Sequence, residues 1–469
     1  MNFSKEINTS TFQKVQDAAE KLHVETYIIG GFVRDLILNR ESKDIDFVCV
    51  GSGIHLAEEV SRNLPKSNLS VFKSFGTAMV KTNDLELEFV GARKESYRAD
   101  SRNPIVENGS LEEDQNRRDF TINALAISLN ATSFGQLIDP FDGLADIKKK
   151  LIKTPLNPGI TFSDDPLRMM RAIRFASQLN FDIDPDTFEA ITSNLDRISI
   201  VSQERISDEL NKIILSKTPS YGFKLLFISG LLGKIFPAMI DLHGVEVRDG
   251  KSHKDNFYHT LQVLDNVAKV SDNLWLRWAA ILHDIAKPAT KRFNTKVGWT
   301  FHGHEDKGAR MVPDIFKKLK LPLNDKMQFV KKLVRLHLRP IALVKNNITD
   351  SAIRRLLFEA GNDLNDLMML CKADITSKND ERVKKYLNNF KQVEAKLALV
   401  EEKDHLTNFQ PPISGEFIME SFNLKPSKVV GVIKDEIKEA ILVGTINNNL
   451  KEAKELMFVL ASKHGLSKD

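Results

Sequence analysis

Asp44 and Asp46 stand one residue apart and follow Gly30-Gly31-Phe32-Val33-Arg34-Asp35 at short range. On a strand, residues i and i+2 point to the same face, so Asp44-Ile45-Asp46-Phe47-Val48 predicts a strand carrying both carboxylates side by side. Such a pair repels itself unless a divalent cation sits between the two groups. A Gly-Gly pair at a strand-to-helix junction lets backbone N–H groups approach a phosphate, which a helix N-terminus also attracts. Together these features are equipment for metal-assisted chemistry on a nucleotide. Each has a plainer explanation, because Gly-Gly turns are common and most Asp-x-Asp pairs are solvated loops. The spacing of the whole block favours the chemical reading.

The elements that must hold these residues follow from periodicity. Tyr27-Ile28-Ile29 predicts a buried strand, and Phe32 to Leu38 an apolar helix. Ile45–Val50, Ala78–Lys81 and Leu85–Val90 are further strands joined by Gly-, Asn- and Ser-containing turns. After Thr154-Pro155 the pattern becomes helical, with helices expected over Leu167–Leu179, Pro185–Asn194 and Gln203–Leu215. Gly230, Gly233 and Pro237 predict a second break, then a polar loop from Gly244 to Asp255 and a helical block from about Tyr258 to Leu399. A tail runs from roughly Asn408, with a Pro411-Pro412 hinge. There is no internal repeat. The expected architecture is an α/β head over residues 1–155 followed by helical segments at 156–230, 231–400 and 401–469.

With 469 residues, 42% of them apolar and 28% charged, the chain is sized for several ordinary globular cores. No apolar run approaches the ~18 residues that span a bilayer, and Met1–Ser10 lacks the pattern of a signal peptide. Cys49 and Cys371 are the only cysteines, which argues against a disulfide scaffold and for a reducing, cytoplasmic location. A net charge of +4 is weak evidence for a polyanionic partner at this length. Basic clusters are more informative, and Arg117-Arg118 and Arg168, Arg171, Arg174 lie nearest the candidate chemistry.

The block from Gly30 to Asp46 resembles the first motif of the class II tRNA nucleotidyltransferase and poly(A) polymerase family, Gly-Gly-x-Val-Arg-Asp followed by Asp-x-Asp. Four more motifs follow in order. Glu88 stands five residues before Arg93, and Arg117-Arg118-Asp119-Phe120-Thr121-Ile122-Asn123-Ala124-Leu125 matches the second motif almost unchanged. Asp139-Pro140-Phe141-Asp142-Gly143 resembles the third, with Asp142 in place of a Gly. Asp164-Asp165-Pro166-Leu167-Arg168 is similar to Glu-Asp-x-x-Arg, and Ile198-Ser199 with Glu204-Arg205-Ile206 resembles the motif closing the neck.

The resemblance covers about half the chain. It implies a polymerase-β-like α/β head with a mixed sheet, then all-α neck, HD and tail domains. Asp44, Asp46 and Glu88 would be the catalytic carboxylates, the first two binding Mg2+. Gly30, Gly31, Arg34 and Arg118 would hold the triphosphate, with guanidinium groups binding phosphate bidentately. Glu86 shares the face of Glu88 but is as readily a solvated glutamate. Asp119 has an alternative role as cap of a helix starting at Phe120.

Asp165 and Arg168, three residues apart, would lie on one helix face and read a base. A carboxylate accepts from the exocyclic amine of cytosine or adenine, and a guanidinium donates to ring acceptors, so the pair would select C and A without a template. The competing account makes Asp165 an N-cap before Pro166 at the first helical position. Arg171 and Arg174 would reach ribose or phosphate, or else form an exposed stripe.

Seven of the eleven histidines fall between His243 and His337. His283-Asp284 lies in an apolar stretch expected to be helical from Trp275 to Ile285, and a buried His-Asp pair needs partners or a metal. The ordered set His259, His283-Asp284, Asp374 resembles HD-superfamily metal-dependent phosphohydrolases. That likeness implies a divalent transition metal, with His304 and His337 as ligands for a second ion and phosphate-ester hydrolysis at RNA termini as the work. The full expectation is a CCA-adding tRNA nucleotidyltransferase acting on tRNA with CTP, ATP and Mg2+, with no membrane partner and no assigned oligomeric state. Rivals are a specialist adding only CC or only A, a bacterial poly(A) polymerase, and an HD phosphohydrolase whose head only binds RNA. Phe75-Gly76-Thr77-Ala78-Met79-Val80 replaces the basic segment expected of the poly(A) enzymes.

Overall fold

A computed structural model describes residues 1–98, 101–345, 349–377, 379–404 and 411–466. The chain forms two compact units, Met1–Pro237 and Ala238–Asp469. The boundary expected near Asn408 lies outside the described residues.

The first unit is built on a seven-stranded mixed sheet. Its strands are β1 (Thr26–Ile29), β2 (Asp44–Cys49), β3 (Asn68–Phe72), β4 (Thr77–Lys81), β5 (Glu86–Gly91), and, after the hairpin β6 (Arg93–Arg98) and β7 (Ser101–Asn108), β8 (Ala126–Ser128) and β9 (Leu137–Ile138). The order is β3-β4-β5-β2-β1-β8-β9, so β2 is central. β2 and β5 run parallel, and every other neighbouring pair in the sheet is antiparallel.

Strand alternation sorts β2 and β5 into two faces. Ile45, Phe47, Leu87 and Phe89 are buried, and the rings of Phe47 and Phe89 stack at 4.8 Å. Helices α1 (Ser10–Leu22), α2 (Gly31–Ile37) and α3 (Gly53–Asn63) follow the apolar pattern. α3 packs on β4 and β5, and Phe12 of α1 meets Phe47 at 6.1 Å. The acidic residues of both strands are thereby left on the opposite face. Fully burying side chains of this kind contributes roughly 1.5–3 kcal/mol each, which is what fixes the register.

Three local expectations change. The seven-residue α2 adds little macrodipole. Phe120 opens no α-helix: Thr121–Asn123 is one 3-10 turn. The third motif forms a turn in which Asp139 accepts from the N–H groups of Gly143 and Leu144 at 2.7 and 2.9 Å, opening α5 (Gly143–Lys149) after α4 (Leu111–Asn116). Asp142 adopts φ +58°, a left-handed conformation that Asp tolerates and Gly prefers, which explains how it stands where the motif has Gly. Asp142→Gly should therefore shift the unfolding free energy by no more than about 1 kcal/mol in urea titration. A larger loss contradicts this reading.

The neck helices match the predicted bounds to within a residue: after α6 (Pro158–Asp164) come α7 (Leu167–Leu179), α8 (Pro185–Ser193) and α9 (Gln203–Ile214). The second unit is mostly helical but not wholly so. The expected polar loop carries the small hairpin Val247–Arg248/Lys251–Ser252, and the helical block is interrupted by Arg292–Asn294/Gly298–Thr300. Its apolar helix ends at Leu282, so His283 is the C-cap and Asp284 lies beyond it rather than inside. Both cysteines are free and buried. No helix among the described residues is long and apolar enough to cross a membrane.

Candidate functional site

Register places the acidic residues together. Asp44 is opposite Glu86 and Asp46 opposite Glu88 on the parallel pair, while Ile29, just before Gly30, is opposite Asp46 on the other side. All four acids line one cleft of about 630 Å3 with Gly30, Gly31, Arg34, Arg118, Asp119, Asn123, Arg171, Arg174 and Phe175. Glu86 is engaged by Lys81 across the strand pair, which leaves Glu88 as the freer neighbour of the aspartates. Gly30 has φ +81°, and a Cβ there would meet Arg118 Nη1 at 3.0 Å and Asp46 Oδ2 at 3.4 Å. The bend therefore carries no side chain where the acids and arginines converge.

Burial raises the carboxyl of Asp46 above its ordinary range, with Arg118 and Arg171 opposing and Asp44 reinforcing the shift. Glu88 is raised by burial and by Asp46, against Arg93. Half-buried acids on one sheet face that disfavour their own charge are a donor set suited to a divalent cation. The residues fit the group that the motifs imply.

The cationic wall opposite is held by a continuous network. Arg34 donates to both carboxylate oxygens of Asp35 (3.0 and 2.8 Å) and to Asn123 Oδ1 (2.7 Å). Asn123 donates to Asp119 Oδ1 at 3.1 Å, and Asp119 Oδ2 accepts from Arg171 at 2.7 Å. Burial opposes the charge of Asp119, but Arg171 and Asn123 outweigh it and bring the carboxyl down to about 2. Asp119 thus anchors an arginine instead of capping a helix. Arg34, Arg171 and Arg174 lie 5.0, 5.3 and 3.8 Å from the centre of the Phe175 ring. Arg174 is buried and bound to Glu209 at 2.5 Å and to Gln178, so it is neither an exposed stripe residue nor a free phosphate ligand.

Asp165 and Arg168 line a second pocket of about 250 Å3 with Arg117, Arg118, Asp119, Arg171 and Arg205. They are not on one helix face, because Asp165 precedes α7 and Pro166 takes the cap position. Asp165 accepts from the Leu167 N–H at 3.2 Å and still lines the pocket, so this bond does not withdraw it from the wall. Arg168 donates to the Arg117 carbonyl at 2.7 Å.

In the second unit, His259, His283, Asp284, His304, His337 and Asp374 converge. Nδ1 of His283, His304 and His337 lies 2.7–2.8 Å from the carbonyl oxygens of Ala280, Phe301 and Val334. A carbonyl only accepts, so each Nδ1 carries a proton and each ring turns Nε2 inward. Asp284 divides the cluster. Its Oδ2 lies 3.2 Å from His283 Nε2 and 3.5 Å from His259 Nε2, and its Oδ1 lies 3.2 Å from His304 Nε2 and 3.9 Å from His337 Nε2. Asp374 approaches His259 Nε2 at 3.0 Å.

His283 Nε2 and Asp284 Oδ2 are buried without a hydrogen bond of acceptable geometry despite their proximity. Burial and the adjacent His283 push His337 down to about 4, leaving it neutral at pH 7. Burial opposes the charges on Asp284 and Asp374, but His283 and Lys287 hold the first well below its ordinary range, and the hydrogen bond from His259 brings the second to about 2. Burial lowers His283, but Asp284 and Asp374 outweigh it and raise it, so a metal bound there would displace its proton, whereas His337 and the two carboxylates already have the charge states that metal binding requires.

Three family models match these regions: the poly(A) polymerase head domain over residues 26–153, the probable RNA and SrmB-binding site of polymerase A over 180–242, and the HD domain over 256–376. A relative from Shewanella frigidimarina, the multifunctional CCA protein, is 31% identical over 307 residues, covering 64% of this chain and 70% of its own length. The chain belongs to the poly(A) polymerase and tRNA nucleotidyltransferase family.

The A-adding tRNA nucleotidyltransferase of Deinococcus radiodurans is 28% identical over 89% of this chain and 92% of its own. Relatives matched at 39–44% identity are covered over only 23–54% of their length. Among solved structures, a tRNA nucleotidyltransferase complexed with a primer tRNA and an incoming ATP analog superposes with a TM-score of 0.57 at 25% identity, covering 81% of this chain and 99% of that one.

Within the family frame, sequence reasoning missed Asp35, Asp114, Phe175 and Glu209. None contacts the cleft as an isolated polar group; each holds or stacks on an arginine that the motifs flagged. An acid at i−3 or i−4 from the Arg pair was the available signal for Asp114.

Proposed function

We propose that this chain adds the 3′-terminal CCA of tRNA from CTP and ATP. The observation that carries the reading is the central strand β2, which presents Asp44 and Asp46, with Glu88 in register beside them, to a cleft walled by Arg34, Arg118 and Arg171. Asp44, Asp46 and Glu88 would hold Mg2+, which supplies charge stabilisation for the attacking and leaving oxygens when bound. The arginines neutralise a triphosphate, the side-chain-free bend at Gly30 leaves room for it, and Asp165 with Arg168 recognises the base edge of C or A.

A second reading, addition of A alone, is favoured by the A-adding relative that matches nearly the whole chain. The test supplies tRNA lacking its 3′ end, and tRNA ending in CC, with each triphosphate singly and together. Incorporation of C, C and A supports the proposal. Addition of A to the CC-ending substrate only selects the second reading, and long A tracts select a poly(A) polymerase.

Asp165→Ala should admit UTP or GTP and lower the preference for CTP and ATP by at least ~10-fold, measured as ratios of kcat/KM. Unchanged ratios remove this base-reading role. We further propose that the HD cluster holds a divalent transition metal through His259, His283, Asp284 and Asp374, and supports phosphate-ester hydrolysis.

A further inference from the structure

Among the described residues of the head, Asp114 is the one wholly buried carboxylate that faces two arginines at once. It sits in α4, three residues before the C-cap Arg117 and four before Arg118, so the helix end and the turn that follows bring both guanidinium groups to it. Arg117 donates to Oδ1 from Nε at 3.0 Å and Nη2 at 2.5 Å. Arg118 donates to Oδ2 from Nε at 3.2 Å and Nη2 at 3.0 Å. Each oxygen therefore serves one arginine, and a single side chain engages both guanidinium groups. Burial opposes the charge, yet Arg118 and Arg117 outweigh it and hold the carboxyl below its ordinary range.

The two arginines lead to different places. Arg118 lines the triphosphate cleft beside Asp46 and also the second pocket, which Arg117 lines as well. The Arg117 carbonyl accepts from Arg168, the base-reading arginine, and Glu95 Oε1 holds the Arg117 guanidinium from the far side at 3.2 Å. Gln115, next to Asp114, donates to the Ala124 carbonyl at 2.6 Å and ties α4 to the loop carrying Asn123. Asp114 thus holds the Arg117 guanidinium while Arg168 bonds the Arg117 carbonyl, so a single residue stands between the carboxylate and the base-side arginine.

We propose that Asp114 is a positioning residue that aims Arg118 at the triphosphate and, through Arg117, sets Arg168 against the base, so that transfer rate and nucleotide choice depend on one side chain that touches neither substrate. This rests on the reading of the head as a nucleotidyltransferase and adds the residue that couples its two pockets.

The test measures CTP and UTP incorporation into tRNA lacking its 3′ end by the full chain, wild type beside Asp114→Asn, Arg118→Lys and the double variant. An amide accepts through one oxygen only, so one arginine loses its partner. Asp114→Asn should lower kcat on the order of 10²-fold and the CTP-over-UTP preference about tenfold, with tRNA KM unchanged. In the Arg118→Lys background the same substitution should cost little more in kcat, whereas a merely structural role costs the same in both backgrounds. A folded Asp114→Asn protein with wild-type rate and preference overturns the proposal, as does full additivity. Should circular dichroism show that Asp114→Asn does not fold, Arg117→Lys decides: the preference falls at least about threefold if Arg117 transmits the constraint, and stays at the wild-type value if it does not. A wild-type protein that incorporates nothing refutes the nucleotidyltransferase reading itself, an outcome separate from all of these.

Discussion

Asp46→Asn abolishes nucleotide incorporation and, in metal-free protein, raises the melting temperature. Losing one of the paired carboxylates removes charge stabilisation worth several kcal/mol, so incorporation should fall by at least ~10³-fold. The thermal effect follows from the raised carboxyl of Asp46, whose causes are burial first, then Arg118 in opposition and Asp44 in support. A folded-state value above the unfolded one means that this group's stabilisation is full below the ordinary Asp value of 3.8 and is lost as pH rises through the raised value. Asn mimics the protonated acid and does not titrate. The melting temperature of the variant should therefore match the parent at low pH and exceed it at pH 7 with a chelator present. Mg2+ should narrow that gap by stabilising the parent alone. Thermal scans between pH 3 and 8, with chelator and with Mg2+, read all of this. The variant should bind as much transition metal at the proposed site of the second unit as the parent does, and equal loss of both would contradict separate sites.

Asp284→Ala should empty the HD cluster of metal. Its two oxygens face different pairs of histidines, Oδ2 toward His283 and His259 and Oδ1 toward His304 and His337. No other side chain described there is placed to substitute for both. The loss in metal affinity should exceed the ~10–100-fold that removal of an outer-sphere partner costs. Metal analysis of the purified chain after dialysis against Zn2+, Mn2+ or Co2+ gives the number. Retention of metal at the parental stoichiometry would contradict this role of Asp284, and a parent that takes up no metal would show that the cluster is a hydrogen-bonded core of histidines.

The central strands and neck helices were legible because their patterns are complete. β2 alternates acid and apolar residues, and α7 carries Met169, Met170, Ile173 and Phe175 at helical spacing. Motif spacing brought every predicted head residue to the cleft or the adjoining pocket.

Other elements lack a period to read. β3 is an edge strand with Leu69 and Phe72 exposed, β8 is a three-residue segment buried on both faces, and β6 is mostly charged, with Ser96 and Tyr97 its uncharged residues. The two hairpins of the second unit are strands of two or three residues, too short to show alternation. Within the site, side-chain roles were harder to see than positions. Arg174 was expected at a phosphate, but Glu209, 35 residues later, is its partner. Helix capping was one of two compatible roles open to Asp119, but no α-helix forms there and Arg171 engages it across the interface between head and neck elements. Pairings of that range are set by tertiary packing, which residue spacing does not encode.

The account turns on a cation held by Asp44 and Asp46 against a triphosphate at the Gly30 bend. Crystals grown with Mn2+ and a non-hydrolysable CTP analogue test this directly through anomalous scattering. The predicted result is a manganese peak at carboxylate coordination distance from both aspartates, with the triphosphate reaching Arg34 and Arg118. A nucleotide bound with its phosphates elsewhere, or a peak confined to the histidine cluster of the second unit, would contradict it.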